Sequence, residues 1–320
     1  MKSTNNIYNE DWAEAQWDVS GLFANDRELV YFHDYFFKNY HYKPFSLVHG
    51  APLITWNSGR VLPHLLRTRD EIEMCIKSWV ERQVAMDLTF SNPYLLEKHL
   101  EDEQGNSLLE VAQRINPTRR NGVIMSSNLL YDYVKKKYPA LKTISSILKV
   151  TMERGNGKVD YYKRLAESYD KVMIHPNDNV NFDLLAQLED KSKYEILINE
   201  NCSRQCVLRR THYDSLSKTA LDFLGYSDNF EELRSKNTCA DVNILLGNSA
   251  QCTTQLSRDE LKTLYDMGFR KFKVQGRGLD NSGGQILDLL RFTLRRDDGS
   301  PVSTNVIVVK FLESMRNILR

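Results

Sequence analysis

Short apolar runs alternate with amphipathic stretches along most of the chain, and each run ends in a polar or small residue. Phe45-Ser46-Leu47-Val48-His49-Gly50 is the first such run. Gln83 to Phe90 is the second and ends in Ser91-Asn92-Pro93. Gly122-Val123-Ile124-Met125 precedes Ser126-Ser127-Asn128 and a helical stretch, Leu129 to Tyr138. Leu141 to Ile147 reads as a fourth strand. Tyr161 to Tyr169 has helical spacing and feeds Lys171-Val172-Met173-Ile174, which ends in His175-Pro176-Asn177. Phe182 to Leu188 is helical and leads to Tyr194-Glu195-Ile196-Leu197-Ile198, which ends in Asn199-Glu200-Asn201. Phe269 to Val274 is the seventh run, ends in Gln275-Gly276-Arg277, and follows a helix over Leu261 to Met267.

Helices of about 10–14 residues between strands of about 4–6 residues predict βαβ units and a parallel sheet. Right-handed crossovers of this kind close into a barrel or an open doubly wound sheet. A (β/α) barrel is the better reading, because no Gly-rich nucleotide fingerprint follows any strand. Gly276-Arg277-Gly278 lacks the third glycine. Seven strands can be placed and an eighth cannot. The aromatic stretch from about Asp26 to Asn39 has helical spacing, so residues 1–40 read as an N-terminal helical lead-in. Residues 41–320 then read as one barrel domain, irregular or incomplete, with an irregular cysteine-bearing insertion at 201–260. After the seventh strand, a helix runs from Ser282 to about Leu294, and the C-terminus is apolar and then helical from Val306 to Leu319.

The 320 residues suit a single barrel, and 41% hydrophobic with 27% charged residues is a globular composition. Net charge is +1, which gives no global field for nucleic acid or an anionic membrane. No apolar run approaches the ~20 residues of a membrane span, and Met1 to Asn6 leads into acidic and aromatic residues, not a signal sequence. The expected location is the cytoplasm, where five cysteines are a poor disulfide framework.

In a parallel barrel, functional residues gather at the C-terminal strand ends. That rule selects His49, Ser91, Asn92, Ser126, Ser127, His175, Asn177, Asn199, Glu200, Gln275 and Arg277. His49 or His175, with Glu200, are acid–base candidates, and Gln275 and Arg277 join them at the catalytic end. Asn92, Ser126, Ser127, Asn177 and Asn199 are candidate substrate contacts, as are Arg210 and His212 beyond the Asn199 strand end. No nucleophile elbow, His-Glu-x-x-His pair or catalytic serine signature is present.

The cysteines are a sharper clue. Cys202 and Cys206 stand just past a strand end, and Cys239 and Cys252 follow. Four thiolates suit an iron–sulfur cluster, and soft ligands favour it or zinc over hard cations. Arg204, Arg209 and Arg210 nearby would offset cluster charge. The competing readings are zinc held by Cys202, Cys206, His212 and Cys239, or plain buried cysteines, as Cys75 on its helix reads.

The run Glu195 to Cys202, then Cys206, then Arg209-Arg210-Thr211-His212-Tyr213, resembles the cysteine-bearing segment of the collagenase-like peptidase family U32. The strand-end serines after Val123-Ile124-Met125 and the run Gly268 to Arg277 are similar too, so the likeness covers roughly residues 120–280. The resemblance implies a barrel with a [4Fe–4S] cluster on Cys202, Cys206, Cys239 and Cys252. It also implies oxygen-independent hydroxylation of an RNA base or a quinone-precursor ring, with prephenate as hydroxyl source in some members. The cysteine spacing departs from the family patterns. A radical S-adenosylmethionine enzyme is set aside, because Arg209 stands where the third cysteine of that signature would fall.

The leading expectation is therefore an iron–sulfur barrel enzyme acting on a small aromatic molecule or nucleic-acid base, with a protein partner supplying electrons or a second subunit. The alternatives are a non-catalytic barrel with structural zinc or no metal, and a peptidase-like hydrolase.

Overall fold

The computed structural model describes residues 10–58, 67–115, 121–200, 202, 204–224, 255–276, 282–294 and 304–319. Eight parallel strands close a barrel in chain order. They are β1 Gln16–Ser20, β2 Leu47–Gly50, β3 Ala85–Phe90, β4 Gly122–Met125, β5 Lys142–Ser145, β6 Lys171–Met173, β7 Tyr194–Leu197 and β8 Lys271–Val274. The helices are α1 Asp26–Tyr40, α2 Arg69–Glu81, α3 Glu103–Ile115, α4 Asn128–Lys137, α5 Ile147–Met152 and α6 Val159–Ser168. They continue with α7 Phe182–Ala186, α8 Arg209–Leu224, α9 Arg258–Asp266, α10 Ser282–Thr293 and α11 Thr304–Leu319. No described helix is long and apolar enough to cross a membrane.

The seven strands legible in the sequence are β2 to β8. The eighth is β1, which lies inside the segment read as a helical lead-in. It closes the barrel by pairing Asp18 with Leu47 on one side and with Lys273 on the other. Its polar residues hide it, since Gln16 and Asp18 flank Trp17 and break the apolar run. The helix expected after it is α1, which packs Leu29, Phe32 and Phe36 into the core.

The stretch expected to be irregular at 201–260 contains α8, sixteen residues long. That helix is mostly polar, so its apolar stripe is thin. It buries Tyr213, Leu216 and Ala220 at intervals of three and four, the spacing of one helix face.

Helix starts follow local chemistry. Thr68 and Ser257 form capping boxes with Glu71 and Glu260 at α2 and α9. Ser127 and Ser146 cap α4 and α5 through their hydroxyls. Satisfying these orphan N–H groups stabilises each helix by roughly 1 kcal/mol.

The strands alternate between two cores. Val19, Val48, Met86, Leu88, Val123, Met125, Val172, Ile196, Phe272 and Val274 join the large cluster between sheet and helices. Ile124, Ile144, Met173 and Leu197 form a separate small cluster inside the barrel. The rest of the interior is not apolar. Asp18, Asp87, Lys171, Glu195 and Lys273 are all buried there. The expectation that strand bodies are apolar is thus corrected, because strands can carry charge inward where the partner charge comes from across the barrel.

One glycine makes room for this charge. A Cβ on Gly122 would lie 2.5 Å from Asp87 Oδ1 and 2.6 Å from Ile144 Cδ1. Gly122→Ala is therefore expected to destabilise the fold by about 1–3 kcal/mol, the usual penalty for overpacking. Urea denaturation reads this directly, and an unchanged midpoint would show that the carboxylate moves aside freely.

Candidate active site

A cavity of about 270 Å³ opens at the C-terminal end of the barrel. One side is polar, with Ser20, His49, Ser91, Glu200, Lys273 and Gln275 among its lining residues. The opposite side is apolar and is built from Ile124, Met173, Leu197, Ile147, Leu148 and Leu216. The division follows the strands. β4 to β7 supply the inner apolar cluster, while the polar groups come from β1, β2, β3 and β8 and, as Glu200, from the segment after β7.

His49 stands on this floor at the end of β2. Its Nδ1 lies 2.7 Å from Asp18 Oδ1, and Lys273 Nζ donates to Asp18 Oδ2 at 2.9 Å. Asp18 is the natural acceptor for the Nδ1 proton, which leaves the lone pair on Nε2. Burial is the largest influence on His49 and pushes its pKa down, with Asp18 opposing and Lys273 reinforcing. Burial thus favours the neutral imidazole, with its lone pair on Nε2. For Asp18, burial favours the neutral acid, but His49 and Lys273 outweigh it and hold the carboxyl well below the usual carboxylate range. Gly21 follows β1 with φ +118°, a left-handed conformation suited to glycine. There its N–H bonds the His49 carbonyl at 3.1 Å, fixing the β1 turn against β2.

Glu200 lines the same cavity. Its Oε1 accepts from the Cys202 N–H at 3.1 Å and from Gln275 Nε2 at 3.1 Å. Ser91 Oγ pairs with Ser58 Oγ at 2.7 Å. Asn25 and Thr89 also line the cavity, and Asn25 Oδ1 and Thr89 Oγ1 are buried without a hydrogen-bond partner among the described residues. Such atoms call for a water or ligand.

Of the residues expected at the site, the structure brings His49, Glu200, Gln275 and Ser91 together around the cavity. Several others hold the scaffold instead. Asn199 Nδ2 donates to the Gln275 carbonyl and to Asp288 Oδ2, both at 2.8 Å, tying β7 to β8 and α10. Asn92 is fully buried and donates to the Ser217 carbonyl at 3.0 Å. Ser127 is the α4 cap, and Ser126 pairs with Ser146 at 2.5 Å. Asn177 Oδ1 accepts from the Gln205 N–H at 3.0 Å. Arg210 is exposed on α8 and His212 is half-buried there, and neither lines the cavity. α8 instead contributes Tyr213 and Leu216. Arg277 lies outside the described residues.

His175 stands apart from the cavity lining. It is buried, with Nε2 3.4 Å from Arg209 Nη1. Burial, then the Arg209 charge, push its pKa down to about 3. Ser20 and Lys273, which line the cavity, and Asp18, which stands behind them on His49 and Lys273, are groups that strand-end reasoning missed. Asp18 and Lys273 each occupy alternate, inward positions within a strand, and that period-2 placement of a charge was the signal.

Cys202 and Cys206 are both half-buried. Burial pushes the Cys202 thiol up to about 11, with Arg209 opposing it and Glu200 reinforcing it. Cys239 and Cys252 lie outside the described residues. Among the described residues, no group of three or more His, Cys, Asp or Glu side chains is placed to hold a metal ion. The described residues thus include two of the four cysteines expected to hold a cluster. Cys75, on α2, is half-buried, and burial first and Asp26 second push its thiol well above its ordinary pKa.

No protein-family model matches the chain. No curated protein matches it in sequence. Among solved structures, the U32 peptidase Mk0906 is similar, with a TM-score of 0.51 and 11% identity over 82% of this chain and 94% of that one. Likeness at this identity extends to the barrel fold and no further.

Proposed function

We propose that the chain is an enzyme that moves a proton on a small molecule held in the barrel mouth. His49 Nε2 is the general base, Asp18 fixes the imidazole tautomer, and Lys273 stands by to stabilise negative charge developing on substrate oxygen. The observation that carries this reading is the 2.7 Å contact of His49 Nδ1 with Asp18 Oδ1 on the cavity floor, with Lys273 on the other Asp18 oxygen. The two-sided lining suits a carbon-rich molecule with one polar end, oriented by apolar contact on the β4–β7 side.

The test is exchange of acidic C–H protons for deuterium in a panel of small keto acids and ketones, followed by proton NMR. The protein is expected to accelerate exchange in at least one member. His49→Gln should lower that rate by about 10²–10⁴-fold, the usual share of a positioned base. Asp18→Asn should impair it through loss of the tautomer. Exchange at the buffer rate for every member would count against the reading, as would full activity in His49→Gln.

A second reading rests on Cys202 and Cys206, which follow β7 with Arg209 beside Cys202. In it, Cys202, Cys206, Cys239 and Cys252 hold an iron–sulfur cluster, and Arg209 offsets its charge. The chain purified without oxygen is then expected to contain iron and acid-labile sulfide, both lost in Cys202→Ala. Anaerobic protein free of both would end that reading.

A further inference from the structure

The barrel holds more buried charge than the proposed proton transfer uses. Lys171 Nζ lies 2.7 Å from Asp87 Oδ2 and 2.7 Å from Glu195 Oε1, below the Asp18–Lys273 pair. Asp18, Asp87 and Glu195 are each at most 2% exposed, and Lys171 and Lys273 are buried with them. Apart from Lys271, which is half-buried with its ammonium on the Ser192 carbonyl, three carboxylates face two ammonium groups, an excess of one negative charge while His49 is neutral. An uncompensated buried charge is costly, and the ordinary escape is to take up a proton.

The geometry offers two places for that proton. One is Glu195 Oε2, which is buried and has no hydrogen-bond partner among the described residues. The other is His49 Nε2, since Asp18 already holds Nδ1.

We propose that Glu195 is a positioning residue for His49, acting through the charge of the barrel interior. The two groups share one proton, and Glu195 decides by holding or releasing it whether His49 is neutral or cationic. With Glu195 protonated the interior is neutral, and His49 remains an unprotonated base. With Glu195 ionised, the excess negative charge draws a proton from water onto His49. The importance of this coupling for catalysis rests on the proton-transfer reading, whereas the coupling itself is a property of the barrel interior alone.

Glu195 faces Lys171 from β6, Lys271 and Lys273 from β8, Asp87 from β3 and Asp18 from β1. Lys271 is half-buried with its ammonium on the Ser192 carbonyl, so water screens it more than the other four. His49 faces Asp18, Lys273 and Asp87. Burial pushes Glu195 up and His49 down, which favours the neutral form of both.

The test is NMR titration of the His49 ring nitrogens and the Glu195 side-chain carboxyl carbon in selectively labelled protein, with no substrate present. In the wild type, both signals are expected to inflect at the same pH. In Glu195→Gln, which keeps the side-chain volume and an oxygen for Lys171, the His49 midpoint is expected to fall by about tenfold or more in proton affinity. The two groups act on each other through Asp18, Lys273 and Asp87, which both feel, and a tenfold change corresponds to about 1.4 kcal/mol of interaction. A Glu195 signal that ignores the His49 inflection overturns the proposal, as does a His49 midpoint unmoved in folded Glu195→Gln. The wild-type measurement decides the matter even if the variant does not fold. The deuterium-exchange assay tests the proton-transfer reading separately, so either can fail alone.

Discussion

Replacing Lys171 by alanine is expected to destabilise the fold by about 3–5 kcal/mol, the range for removing one partner of a buried ion pair. The loss comes from what is left behind. Lys171 is the ammonium that bridges Asp87 and Glu195, at 2.7 Å each. Burial alone would strip its proton, but the two carboxylates outweigh burial and hold it firmly charged. Without it, two carboxylates face each other in a closed interior. Many domains have a total stability of only about 5–15 kcal/mol, so the variant is expected to be marginal or unfolded at ambient temperature. Urea denaturation measures the loss. The triple variant Lys171→Met, Asp87→Asn, Glu195→Gln removes the charge on both sides and should recover more than half of it. A single variant as stable as the wild type would mean that water reaches these carboxylates.

Acidification is expected to weaken the fold between about pH 6.5 and pH 3, before most surface carboxylates are protonated. His175 is the main reason. Its folded pKa is about 3, depressed by burial and then by Arg209, against ~6.5 in an unfolded chain. The unfolded state therefore binds the proton first as pH falls. Stability present above pH 6.5 is lost progressively down to about pH 3, at up to ~1.4 kcal/mol per pH unit. Burial also lowers His33 and His49, so they act in the same direction. Asp18, held low by His49 and Lys273 against its burial, adds a further loss below pH ~4. Denaturation midpoints across this range should fall, and His175→Gln should flatten the fall by roughly 1 kcal/mol per unit. Parallel curves for the two proteins would assign the acid sensitivity elsewhere.

These effects sit where the sequence was hardest to read. Strands β2 to β8 announce themselves as apolar runs with polar ends, because each buries one face against helices. Strand β1 does not, because Asp18 interrupts five residues whose apolar members are Trp17 and Val19. Helix α8 is masked in the same way, by a polar surface over a narrow buried stripe. Of the strand-end residues, His49, Glu200 and Gln275 line the cavity, because parallel strands aim their C-terminal residues at one mouth. Strand-end reasoning also collected Asn92, Asn199 and Ser127, because helix capping and loop bracing select the same residue types at the same places.

The sequence by itself determined that the chain folds as alternating strands and helices around a barrel. Hydrophobic periodicity is a local property, and seven of the eight strands carry it within a few residues each. Only the tertiary structure decided that Asp18, His49 and Lys273 meet, and that Lys171 bridges Asp87 and Glu195. These partners lie as far as 255 residues apart. A charge inside a strand is unfavourable until closure of the barrel brings its counter-charge across, so the site exists only once the first and last strands pair.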